Sequence, residues 1–124
     1  MTDCIVLVTD HPLQTRKLQL ELETYGLSVK MVESCHAQDI SFPYQSVQAI
    51  VLAIDVLEQK GYTLCATLKN NPRTAHIPII LLSHSDTASA VWAALRAGAE
   101  DYIIQDSFAS YNVVESLRSL KMIL

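Results

Sequence analysis

Ala49-Ile50-Val51-Leu52-Ala53-Ile54 is an uninterrupted apolar run of the kind that forms a strand buried on both faces of a sheet. Two further runs along the chain share this character: Ile5-Val6-Leu7-Val8 and Ile77-Pro78-Ile79-Ile80-Leu81-Leu82. Strands covered on both faces are typical of parallel sheets that carry helices on each side. The stretch at 49–54 therefore predicts an α/β protein and marks a central strand of its sheet.

Outward from this stretch, the chain alternates strands with helical segments. Weaker strands are predicted at 27–32, where apolar and polar residues alternate, and at 102–104. The first predicted helix runs from Pro12 to Tyr25 with Gly26 as C-cap, and a weak helix is predicted over 34–42. A third helix follows a polar loop at 58–61 and is broken at 70–72, and two more are predicted over about 87–97 and over 113–120. Five β–α units predict one domain, residues 1–124, with a doubly wound five-stranded parallel sheet and helices on both faces.

The composition excludes several classes of protein. Half of the residues are hydrophobic and 18% are charged, so the chain can form a core and is not disordered. A formal charge of −4 with scattered basic residues disfavours nucleic-acid binding. No apolar run approaches the roughly 18 residues of a membrane-spanning helix, and the acidic start is unlike a secretory signal. Cys4, Cys35 and Cys65 are widely separated, which indicates buried or half-buried thiols in a reducing cytoplasm.

Ligands of an open parallel sheet bind at the carboxyl ends of its strands. The residues predicted at that edge are Thr9-Asp10, Ala53-Ile54-Asp55, Ser83-His84 and Gln105-Asp106. The four histidines lack the spacing of metal ligands, and no nucleophile-elbow glycines flank Ser83. Neither a zinc site nor a hydrolase is therefore predicted here.

These segments resemble the receiver domain of two-component response regulators over essentially the whole chain. The resemblance is carried by residues 6–12, by 50–55 followed by Gly61, by 71–79 and by 97–102. It implies a flavodoxin-like sheet of strand order 2-1-3-4-5. It also implies a domain that accepts a phosphoryl group from a histidine kinase, on an aspartate after the third strand. That chemistry uses a divalent cation held by acids, and a lysine.

The sequence departs from the family at the residues that carry this chemistry. The paired acids after the first strand fall on Thr9 and Asp10, the acceptor aspartate falls on Ala53, and the lysine falls on Gln105. Because alanine has no nucleophilic oxygen, the ordinary transfer cannot take place at residue 53. The resemblance therefore implies an atypical receiver, or pseudo-receiver, with no catalytic residue.

Asp55 lies two residues after Ala53, and alternate residues of a strand share a face. The alternative prediction is thus a working receiver that uses Asp55 as a displaced phosphoacceptor. Asp10 and Asp55 form at most a weak Mg²⁺ site; the competing interpretation is that Asp10 caps the first helix. Since Thr9 and Ala53 remove carboxylate repulsion, we expect a domain that needs no metal for stability and stays near one conformation.

Other family features are present. Ser83 matches the hydroxyl residue of the family's switch, and Tyr102 matches its aromatic residue. Family members dimerise and bind output partners through the fourth helix, fifth strand and fifth helix, where Trp92, Tyr102 and Tyr111 fall. We predict a cytoplasmic, non-enzymatic domain of bacterial two-component or phosphorelay signalling that needs no cofactor. It would bind a signalling protein, or a second copy, independently of aspartyl phosphorylation. A flavodoxin-like enzyme ranks last because the loops lack a glycine-rich phosphate cradle.

Overall fold

The computed structural model describes residues 4–34, 47–53 and 59–120, apart from the side chains of 59 and 60. Five strands form one parallel sheet: β1 (Cys4–Val8), β2 (Val29–Val32), β3 (Val47–Ala53), β4 (Ile79–Ser83) and β5 (Asp101–Ile104). Their order is β2-β1-β3-β4-β5, which confirms the predicted fold and strand order. The described helices are α1 (Pro12–Thr24), α2 (Gln59–Asn70), α3 (Ala88–Arg96) and α4 (Ala109–Ser119).

The sheet separates two hydrophobic cores. Neighbouring residues of a strand point to opposite faces, so Val6 belongs to the core beneath α2 and α3, and Leu7 belongs to the core beneath α1 and α4. All residues of β1 and β4 are buried. This two-sided burial is the reason why these strands read as continuous apolar runs rather than alternating ones.

Several element boundaries differ from the prediction. Strand β4 begins at Ile79 rather than Ile77, because Pro78 has no N–H for the ladder, although its carbonyl accepts the N–H of Ile50 at 2.9 Å. Helix α2 begins at Gln59, inside the predicted polar loop, so Gly61 lies in its first turn. The N–H groups of a helix's first turn have no intrahelical partner. Residues of that turn, such as Gly61, therefore give only a weak sequence signal for the start of a helix. The weak helix predicted at 34–42 falls almost wholly outside the described residues.

Helix termini follow the predicted signals more closely. Pro12 occupies the start of α1, where its fixed φ suits the first helical position. Gly26 follows α1 with φ +89°, and Gly98 follows α3 with φ +96°. This left-handed backbone ends a helix and is accessible to glycine at little cost. None of the described helices has the length and apolar character that a membrane crossing requires.

A partly buried lysine joins the elements at the edge where the strands begin. Lys69, at the end of α2, donates to the carbonyls of Ala75 (3.2 Å) and Ile77 (2.9 Å) and to Glu100 Oε2 (2.7 Å). Glu100 Oε1 in turn accepts the N–H of Ile79 at 2.8 Å. All three ammonium hydrogens thus have acceptors, and they connect α2 to the starts of β4 and β5.

The described cysteines are core residues, as predicted. Cys4 and Cys65 are both buried free thiols, whereas Cys35 lies outside the described residues. The Cys65 thiol lies 3.4 Å from the carbonyl oxygen of Ala97, to which it donates. Burial raises the pKa of Cys65 to about 11; Glu100 adds to this rise, and Lys69 opposes it.

Candidate functional site

The carboxyl edge of the sheet brings the candidate residues of four strands together. The register of β1 and β3 pairs residue 8 with residue 52, so Thr9 and Ala53 follow on adjacent strands. Ala53 pairs with residue 82 on β4, which places Ser83 one step further. Gln105 completes the row, because its N–H donates to the Ser83 carbonyl at 2.8 Å. The structure therefore places these four sequence-predicted positions side by side.

Thr9 contributes a neutral hydroxyl and is fully buried. Its Oγ1 accepts the N–H of His11 at 3.0 Å, and its own N–H donates to the carbonyl of Val32 at 3.0 Å. The first contact shapes the turn into α1, and the second continues the ladder between β1 and β2. Thr9 thus has a structural role at a position where the family carries an acid.

Asp10 directs its carboxylate towards the end of β2. Its Oδ1 accepts the N–H of Ser34 at 3.0 Å, and its Oδ2 accepts the Ser34 hydroxyl at 2.9 Å. The interpretation of Asp10 as the N-cap of α1 is wrong: the N-cap residue is His11, whose side chain makes no capping hydrogen bond. Ser34 presents an N–H and an O–H to the two oxygens of one carboxylate, a pairing that the sequence does not reveal.

The described residues do not make a cation site by themselves. Of Thr9, Asp10 and Ala53, only Asp10 carries a carboxylate, and both of its oxygens accept hydrogen bonds from Ser34. Across the described ranges, no three histidine, cysteine, aspartate or glutamate side chains cluster as metal ligands would. Asp55 lies outside those ranges, so its roles as displaced phosphoacceptor and as Mg²⁺ ligand stay predictions.

Ser83 and Tyr102 both contact Ser85 in the loop between β4 and α3. Ser83 is 3% exposed, and its Oγ accepts the N–H of Ser85 at 3.0 Å. The Tyr102 hydroxyl donates to the carbonyl of Ser85 at 2.7 Å, while its ring packs against the core beneath α2 and α3. Ser85 was not among the predicted site residues. The closely spaced Ser83 and Ser85 were the available signal, since hydroxyl residues accept from N–H groups two residues on.

Gln105 lies beside α1. It lines a cleft of about 320 Å³ together with Lys17, Glu21 and His84. The cleft thus combines an amide with charges of both signs, supplied mainly by α1. Because an amide is neutral, Gln105 cannot replace the electrostatic contribution of a lysine.

The predicted interface residues differ in exposure. Trp92 on α3 is 65% exposed and borders a shallow cavity of about 660 Å³ with Ser89 and Arg96. Tyr111 on α4 is 51% exposed, whereas Tyr102 on β5 is only partly exposed. Trp92 is therefore available for a partner and does not belong to the core.

Comparison with known proteins identifies the family. Residues 5–116 match the response regulator receiver domain. The chain belongs to this receiver family. The two-component response regulator ORR12 of Oryza sativa subsp. japonica is 30% identical to this receiver over 103 residues, 81% of the chain and 84% of that protein. Response regulator PleD of Caulobacter vibrioides is 27% identical over all of the chain, which spans 28% of PleD.

Solved receiver structures share the fold. A signal receiver domain of a histidine kinase from Syntrophus aciditrophicus has a TM-score of 0.79 at 27% identity, covering 98% of this receiver and 92% of that chain. The Vibrio cholerae chemotaxis protein CheY4 has a TM-score of 0.81 at 12% identity, covering 96% and 98%. The likeness to CheY4 concerns the fold alone. Together with the family match, these comparisons make the chain a receiver domain of two-component signalling.

Proposed function

We propose that this receiver is a pseudo-receiver, which signals by binding another protein and accepts no phosphoryl group at the end of β3. The observation that carries the proposal is Ala53, which ends β3 at the position of the family's acceptor aspartate and is 4% exposed. A methyl group has no oxygen with which to attack phosphorus. The alternative acceptor, Asp55, would need to bring its oxygen to within about 3–3.5 Å of that phosphorus.

The charges around Ala53 support the same proposal. Phosphoryl transfer depends mainly on positioning and on stabilising negative charge with cations. Here Thr9 and Gln105 are neutral, and the carboxylate of Asp10 is engaged by Ser34. A phosphoryl group at this edge would therefore meet neither the family's pair of acids for a cation nor its lysine.

The loop contacts support a fixed output surface. Ser83 accepts from the N–H of Ser85 and Tyr102 donates to its carbonyl, so both switch residues already bind the loop that leads into α3. Thr87 then caps α3 by accepting the N–H of Ala90 at 3.2 Å. We infer that α3 is held near one position and presents a surface that phosphorylation does not rearrange.

The proposed docking face comprises α3, β5 and α4. Trp92 provides an exposed aromatic anchor of the kind enriched at binding hot spots. Arg96 on α3 is cationic, and Glu115 on α4 lines a groove beside β5. Opposite charges on one face suit either a signalling protein or a two-fold related second copy. We propose a non-enzymatic role in the cytoplasm, where Cys4 and Cys65 would remain free thiols.

The test is a phosphorylation assay. The receiver is incubated with Mg²⁺ and acetyl phosphate, and its intact mass is measured beside a receiver that retains its aspartate. We expect a phosphoryl increment on the comparison protein and none on this chain. A stoichiometric, alkali-labile adduct that disappears in Asp55→Asn would overturn the proposal and establish the displaced acceptor.

A further inference from the structure

The contact between Asp10 and Ser34 lies directly beyond the last backbone pair of β1 and β2. Val8 pairs with Val32 in the ladder, and the N–H of Thr9 adds a bond of 3.0 Å to the Val32 carbonyl. One step further, the Asp10 carboxylate accepts both the N–H and the hydroxyl of Ser34. The side chain of Asp10 therefore extends the connection between the two strands after their backbone pairing ends. We call this pair of bonds the Asp10–Ser34 clasp.

The clasp uses the carboxylate as an acceptor at both oxygens. Hydrogen bonds to an ionised carboxylate are stronger than those between neutral groups. A Mg²⁺ ion at Asp10 would compete with Ser34 for these oxygens, and it binds only in near-octahedral geometry. Among the described residues, the neighbouring Thr9 offers a hydroxyl that already accepts from His11, and Ala53 offers a methyl group.

We propose that Asp10 anchors the segment after β2 through the Asp10–Ser34 clasp, and that this clasp takes the place of a bound cation in fixing the turn between β1 and α1. The inference rests on the proposed function, because it treats Thr9 and Ala53 as positions that have lost their acids. It extends that function to regulation: Mg²⁺ is not an effector of this receiver.

The test is a double-mutant cycle with Asp10→Ala and Ser34→Ala, with melting temperatures measured with and without millimolar Mg²⁺. Ser34→Ala should lower the melting temperature by about 6–12 °C, the effect of one charge-assisted hydrogen bond in a domain of this size. Asp10→Ala should lower it further, and the double variant should melt close to Asp10→Ala. Mg²⁺ should not change the melting temperature of any of these proteins.

Thr24→Ala is the matched control, because the Thr24 hydroxyl donates to a carbonyl of α1 away from the clasp. Its effect should add to that of Asp10→Ala, since distant sites are independent. If Asp10→Ala does not fold, Asp10→Asn replaces it in the same cycle. If the double variant loses as much melting temperature as Asp10→Ala and Ser34→Ala lose in sum, the clasp is overturned.

The Mg²⁺ arm separates this inference from the proposed function. A Mg²⁺-induced rise in the melting temperature that Asp10→Ala abolishes would overturn the replacement of the cation. Without a phosphoryl adduct, that result leaves the pseudo-receiver proposal standing. A phosphoryl adduct on Asp55 would overturn the proposed function. The clasp would still stand if the losses for Asp10→Ala and Ser34→Ala remain non-additive and independent of Mg²⁺.

Discussion

The hydroxyl of Tyr102 donates a 2.7 Å hydrogen bond to the carbonyl of Ser85, seventeen residues earlier in the chain. Ser85 is also bound through its N–H by Ser83, so one loop residue is attached to both β4 and β5. The two residues that match the family's switch thus stabilise the same loop conformation.

Removing this bond should loosen the loop. We expect Tyr102→Phe to cost about 1 kcal/mol of unfolding free energy, because the Ser85 carbonyl loses a partly buried donor. Amide hydrogen exchange should accelerate over residues 84–87. Tyr111→Phe, which removes the hydroxyl of an exposed tyrosine on α4, should leave the exchange unchanged. Equal amide exchange rates over residues 84–87 in Tyr102→Phe and the unmodified chain would show that the Tyr102–Ser85 hydrogen bond does not stabilise this loop.

Trp92 should matter for association and little for folding. Because its side chain is 65% exposed, Trp92→Ala should change the unfolding free energy by no more than about 0.5 kcal/mol. If a second copy binds this face, sedimentation should show self-association weakened by at least about tenfold. Tyr25→Ala removes another exposed aromatic, next to the end of α1, and should have neither effect. A large loss of stability in Trp92→Ala would show that this side chain packs in the core.

Two glycines with the same backbone conformation should respond differently to alanine. Gly26 and Gly98 have φ of +89° and +96°, but a Cβ at Gly26 meets nothing within 4 Å, whereas one at Gly98 would lie 3.0 Å from Lys69 Cγ. Gly26→Ala should cost about 1 kcal/mol from backbone strain alone. Gly98→Ala should cost about 2 kcal/mol or more, because the partly buried Lys69 must also move. Urea unfolding measures both, and equal losses would show that Lys69 adapts freely.

The Cys65 thiol should make stability depend on pH in the alkaline range. Its pKa rises from 9.0 to about 11 on folding, so the unfolded chain loses this proton first as the pH increases. The contribution of the protonated Cys65 thiol to the unfolding free energy is complete below pH 9 and is lost as the pH rises through about 11. The unfolding free energy of Cys65→Ala should therefore fall less steeply over this interval than that of the unmodified chain. Identical slopes would show that Cys65 does not titrate there.

Strands β1, β3 and β4 were predictable because burial on both faces leaves a continuous apolar signal, as at residues 5–8 and 49–53. The residues at the carboxyl edge were also predictable, since parallel strands end together. The hydrogen-bond partners of Asp10 and Tyr102, in contrast, were not predictable. Ser34 and Ser85 are ordinary polar residues in sequence, and their roles depend on which strand ends the tertiary fold brings near Asp10 and Tyr102. Local pattern contains no information about such distant pairs.

The Lys69–Glu100 network joins α2, β4 and β5 at the edge where the strands begin, whereas Thr9, Ala53 and Gln105 lie at the opposite edge. The bonds of Lys69 and Glu100 are therefore remote from the positions where the family's chemistry resides. Neutral residues can therefore replace acids at one end of the sheet while the bonds of Lys69 and Glu100 at the other end stay in place.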